Sequence, residues 1–179
     1  DGVVTTYYGD GWEYEVNTAT KSNMLTITKA QDLTDETHAI TAPTTIKAEV
    51  TGGTYNSAIV SCIDGGKLTG AALNGSVHVI GTLDNCVLSL TGSDMLTIAY
   101  DGNVQNCKIT VSNHTSASGV SIHNIGQIGS GSTIDLGGTT LQNESKLLLG
   151  GEGTAIKNGT IQNNGTLRSN DTVIEADVV

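Results

Sequence analysis

The side chains best equipped for chemistry in this chain are spaced in ways that argue against most of it. Cys62, Cys86 and Cys107 stand 24 and 21 residues apart. They form no CxxC or other metal-ligand spacing, and an odd count leaves at least one thiol unpaired. His38, His78, His114 and His123 likewise show no ligand spacing. Arg168 precedes Asp171, Glu175 and Asp177, a set able to hold an anionic sugar while a carboxylate moves a proton; it reads better as solvated surface. The remaining carboxylates of the middle of the chain, Asp64, Asp84, Asp94, Asp101, Asp135, Glu144 and Glu152, are scattered. Most flank Gly or Asn and read as corner residues. "GGEGTAIKNG" (150–159) imitates a phosphate loop but lacks the following Lys-Ser/Thr and any helix to open. The expectation is no catalytic residue, no metal, no cofactor, and no enzyme.

Two features remain that suit binding. Tyr7, Tyr8, Trp12 and Tyr14 gather four of the six aromatic residues into the first fourteen positions. Tyr and Trp are favoured contact residues and stack on sugars or partners; the competing reading is a cap over the apolar end of the fold. The second feature is a pair of longer polar turns, "SNHTSAS" (112–118) and "GGTTLQNES" (137–145), which make Asn113, His114, Gln142 and Asn143 candidate contact residues. Six N-x-S/T matches, at Asn74, Asn113, Asn143, Asn158, Asn164 and Asn170, are close to the number expected by accident in so Asn- and Thr-rich a chain.

What must position these residues is visible as a repeat. "GTLDNCVLSL" (81–90) returns as "GNVQNCKITV" (102–111), with weaker copies at 66–73, 126–134 and 153–161. The pattern sets an aliphatic at Leu68, Leu83, Val104, Ile128 and Ile156. A small residue follows three positions later, at Ala71, Cys86, Cys107, Gly131 and Gly159, and then a second aliphatic at Leu73, Leu88, Ile109, Ile134 and Ile161. Short stretches of period-two alternation, broken by Gly, Asn and Asp, read as strands and corners. Cutting before the strand at 58, 77, 95, 119, 146 and 167 gives units of 19, 18, 24, 27 and 21 residues. One unit buries too few side chains to offset the entropy of ordering it, so the units must stack. The fold class expected is all-β, a parallel β-solenoid with coils of about 18–27 residues. Cys86 and Cys107 become neighbours in one narrow slot and read as buried thiols; a strained disulfide is the alternative, separable by counting free thiols in denaturant.

Composition agrees with this. There is no Phe, a single Pro, and 23 Gly, so aliphatics and Thr must fill the interior, and these suit strands. A net charge of −10 with one Arg argues against nucleic acid and against docking on anionic lipid. No run reaches a membrane span. The organisation expected is an N-terminal cap with irregular first coils over 1–57 and regular coils over 58–179, forming one continuous domain. With Asp1 first and a strand last, the chain reads as an excised piece of a longer protein.

The layout of "LTIAYDGNVQNCKITVSN" (96–113) and "LLLGGEGTAIKNGTIQNNGTL" (147–167) resembles the repeats of AIDA-type autotransporter passengers, the self-associating and diffusely adhering adhesins of Gram-negative bacteria. The resemblance spans about 58–170. Its cysteines and its longest units depart from that family's habit. It implies a right-handed parallel β-helix at the cell surface or secreted, and adhesion or self-association as the function. The partners it implies are the chain itself or a host-surface protein or glycan, engaged through polar solenoid faces and loops, with Thr110, Thr139, Gln162 and Asn163 as candidate contributors to a polar column along one flat face. The alternatives are a β-helical polysaccharide lyase or hydrolase and a structural spacer or phage-fibre segment.

Overall fold

The computed structural model describes residues 2–179, and there is no helix among them. The chain winds through three parallel sheets, visited in the same order on every pass, for about eight turns. The first sheet stacks Thr44–Ile46, Ile59–Cys62, Ser76–Val79, Leu96–Ala99, Ser118–His123 and Thr140–Asn143. The second stacks Glu49–Gly52, Lys67–Thr69, Thr82–Asp84, Gly102–Gln105 and Ile125–Ile128. The third stacks Thr54–Tyr55, Ala72–Asn74, Val87–Gly92, Lys108–His114 and Thr133–Asp135. Two long strands, Lys146–Asn163 and Thr166–Val178, then run past the sheets without a break. This is the parallel β-solenoid that the repeat requires.

Each sheet sends stacked columns of side chains inward. Val50, Leu68, Leu83, Val104, Ile128 and Leu149 stack from the second sheet, and Tyr55, Leu73, Leu88, Ile109, Ile134 and Ile156 from the third. All are buried in a single core running from Ile27 to Ile161. Leu83 and Val104 are direct partners, as their matching slots demand. Ile156 lies one sheet further on, paired with Ile134, and Leu149 takes the place above Ile128. Ile161 belongs to the first sheet, opposite Leu141. The cause is a wider corner, Gly150–Gly153, whose Gly151 and Gly153 take φ of 108° and 80° and which displaces the last copy of the pattern.

The same displacement explains the 27-residue unit. Cuts at 58, 77, 95 and 119 fall in the first sheet, whereas those at 146 and 167 fall in the second. The strand Thr140–Asn143 between them has one aliphatic residue, Leu141, and so gives no alternation signal. Measured between in-register positions Leu25, Thr44, Val60, Val77, Leu96, Val120, Leu141, Ile161 and Val178, coils run from 16 to 24 residues.

Two further columns account for the wording of the repeat. Its opening Gly, at Gly66, Gly81 and Gly102, sits at the corner entering the second sheet. A Cβ there would stand 2.2 Å from the Ile46 carbonyl oxygen, 2.1 Å from that of Gly66, and 2.2 Å from that of Val79, respectively. Only a residue without a Cβ lets successive coils approach so closely. The Asn-Cys pair is a left-handed corner followed by a narrow interior slot. Gly70, Asn85, Asn106, Gly131 and Gly153 have φ between 52° and 80°, a region Asn and Gly tolerate. The residues after them, Ala71, Cys86, Cys107, Ser132 and Thr154, are all buried. Gly131 and Gly159 therefore do not occupy the small slot; Ser132 and Thr154 do.

Coils already form before residue 58. Strands β1 (Val4–Gly9), β2 (Trp12–Asn17) and β3 (Ser22–Ile27) form an antiparallel meander. β3 then accepts Thr44–Ile46 in parallel, and β4 (Gln31–Leu33) pairs with Glu49–Gly52. The first turn of the solenoid is thus built from residues that lack the repeat's Gly and Asn-Cys signals.

Candidate functional site

The eight candidate contact residues separate into two groups, with different fates. In the meander, directly opposite residues of an antiparallel pair share a face. Trp12 opposes Ile27, Tyr14 opposes Leu25, and Tyr7 opposes Tyr14. Ile27 is buried in the core, so Tyr7, Trp12 and Tyr14 lie on the continuation of the core-facing side. Tyr8 opposes Glu13 and lies on the other side. The Tyr7 and Tyr14 rings sit 6.4 Å apart at 32°. The indole of Trp12 packs across Gly9, where a Cβ would stand 2.1 Å from its ring. The structure therefore brings together three of the four aromatics and separates the fourth.

The second group is dispersed. Asn113 takes φ 49° at a corner, and His114 clasps two stacked corners. The Nε2 atom of His114 faces the Asp94 carbonyl and its Nδ1 atom faces the Ser116 carbonyl at 2.9 Å; either neutral tautomer donates to one of them. Thr115 completes the clasp, its N–H donating to the Gly92 carbonyl at 2.6 Å. Residues 140–143 are a strand and not part of a turn, so Gln142 lies on the outer face of the first sheet while Asn143 points inward. Asn143 is fully buried. Its Nδ2 donates to Asn163 Oδ1 at 2.6 Å and to the Thr166 carbonyl at 3.0 Å. No ligand or glycan reaches it, which removes one N-x-S match as well.

Other polar candidates are sorted by the same alternation. Thr110 faces outward beside Ser89 and Asp135. Thr139 is buried, and its hydroxyl donates to the Leu136 carbonyl at 2.7 Å. Arg168 and Glu175 fall on different sheets, opposite Leu148 and Lys157, so the C-terminal set does not assemble. Among the described residues no three His, Cys, Asp or Glu side chains converge as metal ligands.

The cysteines are all free and buried. The Cys86 N–H donates to Cys107 Sγ at 3.3 Å, and the Cys107 N–H to Ser132 Oγ at 3.3 Å. The hydrogen bond shared with Cys86, and burial, hold the Cys107 thiol protonated well above its ordinary range. Burial pushes Cys62 up to about 11. The hydrogen bond shared with Cys107 lowers Cys86 instead, and all three sulfurs serve as small groups of the interior.

A polar face is expected from the sequence, and the structure places the most continuous one on the outside of the second sheet, on residues other than those named for it. Glu49, Lys67, Thr82, Asn103 and Gln127 form one outward column, and Thr51, Thr69, Asp84 and Gln105 its neighbour. Nine polar side chains thus cover five coils with no aliphatic among them. Asn103 donates to Gln105 Oε1 at 3.0 Å, and Lys67 stands 3.7 Å from Glu49 and 3.9 Å from Asp84. The Asn106 amide donates to Asp84 at 2.9 Å; with it, the backing of Gln105 and Lys67 holds the Asp84 carboxyl below its usual range. The third sheet repeats this device, where Asn158 donates to both oxygens of Asp135 at 3.1 and 3.0 Å. The signal for these columns was present in the sequence as the polar second and fourth letters of each repeat.

No family model matches the chain, and no curated protein or solved structure matches it.

Proposed function

We propose that this chain is a cell-surface adhesion or self-association module of a Gram-negative bacterium, engaging copies of itself or a host protein or glycan side-on. The observation that carries the reading is the polar outer face of the second sheet. A sheet face whose side chains recur coil after coil presents the same donors and acceptors at each step of about 4.8 Å. Two such faces meet through many weak contacts whose register is set by the ladders themselves. Short amides and hydroxyls suit this, because they bond across an interface without the desolvation cost of unpaired charge. The layout resemblance of 96–113 and 147–167 to autotransporter passengers supports the setting, a secreted or surface-displayed adhesin.

Sedimentation over a range of protein concentrations tests the reading. The weight-average mass should climb with concentration, and the double variant Asn103→Glu with Gln127→Glu should stay monomeric through like-charge repulsion. A mass that stays flat to the limit of solubility, or association unchanged in the double variant, would reject the second sheet as the contact face.

A further inference from the structure

At its N-terminal end the solenoid is lopsided. The first sheet continues past the first coil by two strands, β2 and β1, while the second sheet starts at β4 and the third at the bridge of Ile40 with Tyr55. The core-facing side of the meander therefore overhangs the end of the core with no strand of the described residues opposite it. Tyr7 is 55% exposed and Trp12 38%. Beneath this shelf lies a pocket of about 270 Å³ lined by Trp12, Leu25, Ile27, Gln31, Leu33 and Ile40.

Three properties of this end specify its occupant. β4 pairs with Glu49–Gly52 on one side, and no other strand among the described residues pairs with it, so its free edge offers backbone donors and acceptors. Gln31 and Leu33 alternate toward the pocket, whose lining is otherwise apolar, so the position facing them calls for a large aliphatic side chain. The exposed rim is acidic: Asp32, Asp35 and Glu36 continue from β4, and Lys29, the cation at this edge, is tied to Asp10 at 2.6 Å. His38 is the other charge-bearing group here, 3.2 Å from Glu36.

We propose that this end binds an extended, cationic peptide strand. The strand adds to the edge of β4, sets one aliphatic side chain in the pocket against Trp12, and places its basic side chains over Asp32, Asp35 and Glu36. Main-chain pairing supplies affinity and the pocket supplies selection. A second copy of the chain is a poorer occupant. Its opposite end offers Leu167 and Ile174 but carries Asp171, Glu175 and Asp177 against Arg168, so acid would meet acid. A sugar would use the tyrosines and leave the strand edge and the aliphatic pocket unmet. The inference is independent of the lateral face proposed above.

Trp12 is the single tryptophan of the chain, so its emission reports this pocket alone. The probe is a capped synthetic peptide of about seven residues alternating lysine and leucine, long enough to span a strand of ordinary length. The expected result is a saturable blue shift of Trp12 emission. The same peptide methylated on alternate backbone nitrogens, equal in charge, should give no shift. A glutamate-for-lysine version should bind at least about tenfold more weakly. Leu33→Asp, with its far-ultraviolet spectrum unchanged, should abolish the shift although it adds negative charge. An equal shift from the methylated or the glutamate peptide would overturn the proposal, as would no shift at all. So would a shift produced by protein concentration alone, which would make the occupant a second copy, or by a disaccharide such as lactose with no response to peptide. The peptide comparison uses the unaltered protein and stands even if the variant does not fold.

Discussion

Single side chains in this molecule are selected by slot. The narrow interior position after each left-handed corner accepts Ala71, Cys86, Cys107, Ser132 and Thr154 alike, because size decides and the polar atom finds a backbone partner. Ser132 Oγ donates to the Val104 carbonyl at 3.1 Å and Thr154 Oγ1 to that of Gly129 at 2.9 Å. Outside, the Asn-to-Asp ladders make stability depend on acid. The Asn106 amide lowers the Asp84 carboxyl, and the Asn158 amide, with the Gly137 N–H and Lys157, lowers Asp135. A depressed folded value means that the unfolded chain binds the proton more readily, so this stabilisation is complete above the ordinary carboxylate range, near 3.9, and fades as pH falls through the lowered folded values. The melting temperature should therefore decline below about pH 4, and Asn106→Ala should flatten part of that decline while lowering the melting point at neutral pH. Melting curves from pH 2 to 7 on both proteins check this; an unchanged pH profile in Asn106→Ala would remove the ladder from the account.

At the scale of strands and corners, glycine is required where coils touch and where a corner turns through positive φ. Gly102→Ala places a methyl 2.2 Å from the Val79 carbonyl oxygen and 2.9 Å from that of Ala99. It should cost about 1–3 kcal/mol, the usual range for forcing atoms into filled space. Gly150→Ala has no atom within 4 Å of the new Cβ and should be close to neutral. Equilibrium denaturation of the two variants decides the point, and equal effects would refute it. The strands themselves were legible in the sequence wherever aliphatics alternate, as in 77–79, 96–98 and 147–149. The Leu83–Val104 stacking followed from the repeated decapeptide, and so did the neighbouring cysteines. What was illegible follows from physics that leaves no hydrophobic trace. Thr140–Asn143 buries an asparagine in place of an aliphatic, satisfied by Asn163 and the Thr166 carbonyl, so a strand read as a turn and Asn143 as a contact residue. The corner at Gly150–Gly153 moved Ile156 to the third sheet. The aromatic face of the meander was visible as a cluster, but which three rings share a side depended on a strand register that composition does not set.

For the whole molecule, stability is shared between adjacent turns, and this makes whole turns removable. Deleting Thr82–Gly102 and joining Gly81 to Asn103 takes one strand from each sheet. It sets Asn103 in the place of Thr82, its partner on one column, and the Asn103 N–H already donates to the Gly81 carbonyl at 2.9 Å. The shortened chain should keep its β spectrum and a cooperative melt at a somewhat lower temperature. Deleting Thr82–Thr91 removes fewer residues but takes strands from two sheets only, and it should unfold the region. Circular dichroism with thermal melts of both deletions would expose the error if the smaller deletion proved the milder. The turns differ in length mostly at one edge. From the third sheet to the first, the interval between inward positions ranges from four residues, Leu73 to Val77, to eleven, Ile109 to Val120. The other two intervals vary less, from six residues, Val77 to Leu83, to eight, Leu96 to Val104, and from five, Leu83 to Leu88, to nine, Gln31 to Ile40, so most of the freedom in outline lies at that edge. Sequence drift there can reshape the outline of the molecule while the scaffold beneath stays constant, giving this fold a margin along which surface shape can diversify separately from foldability.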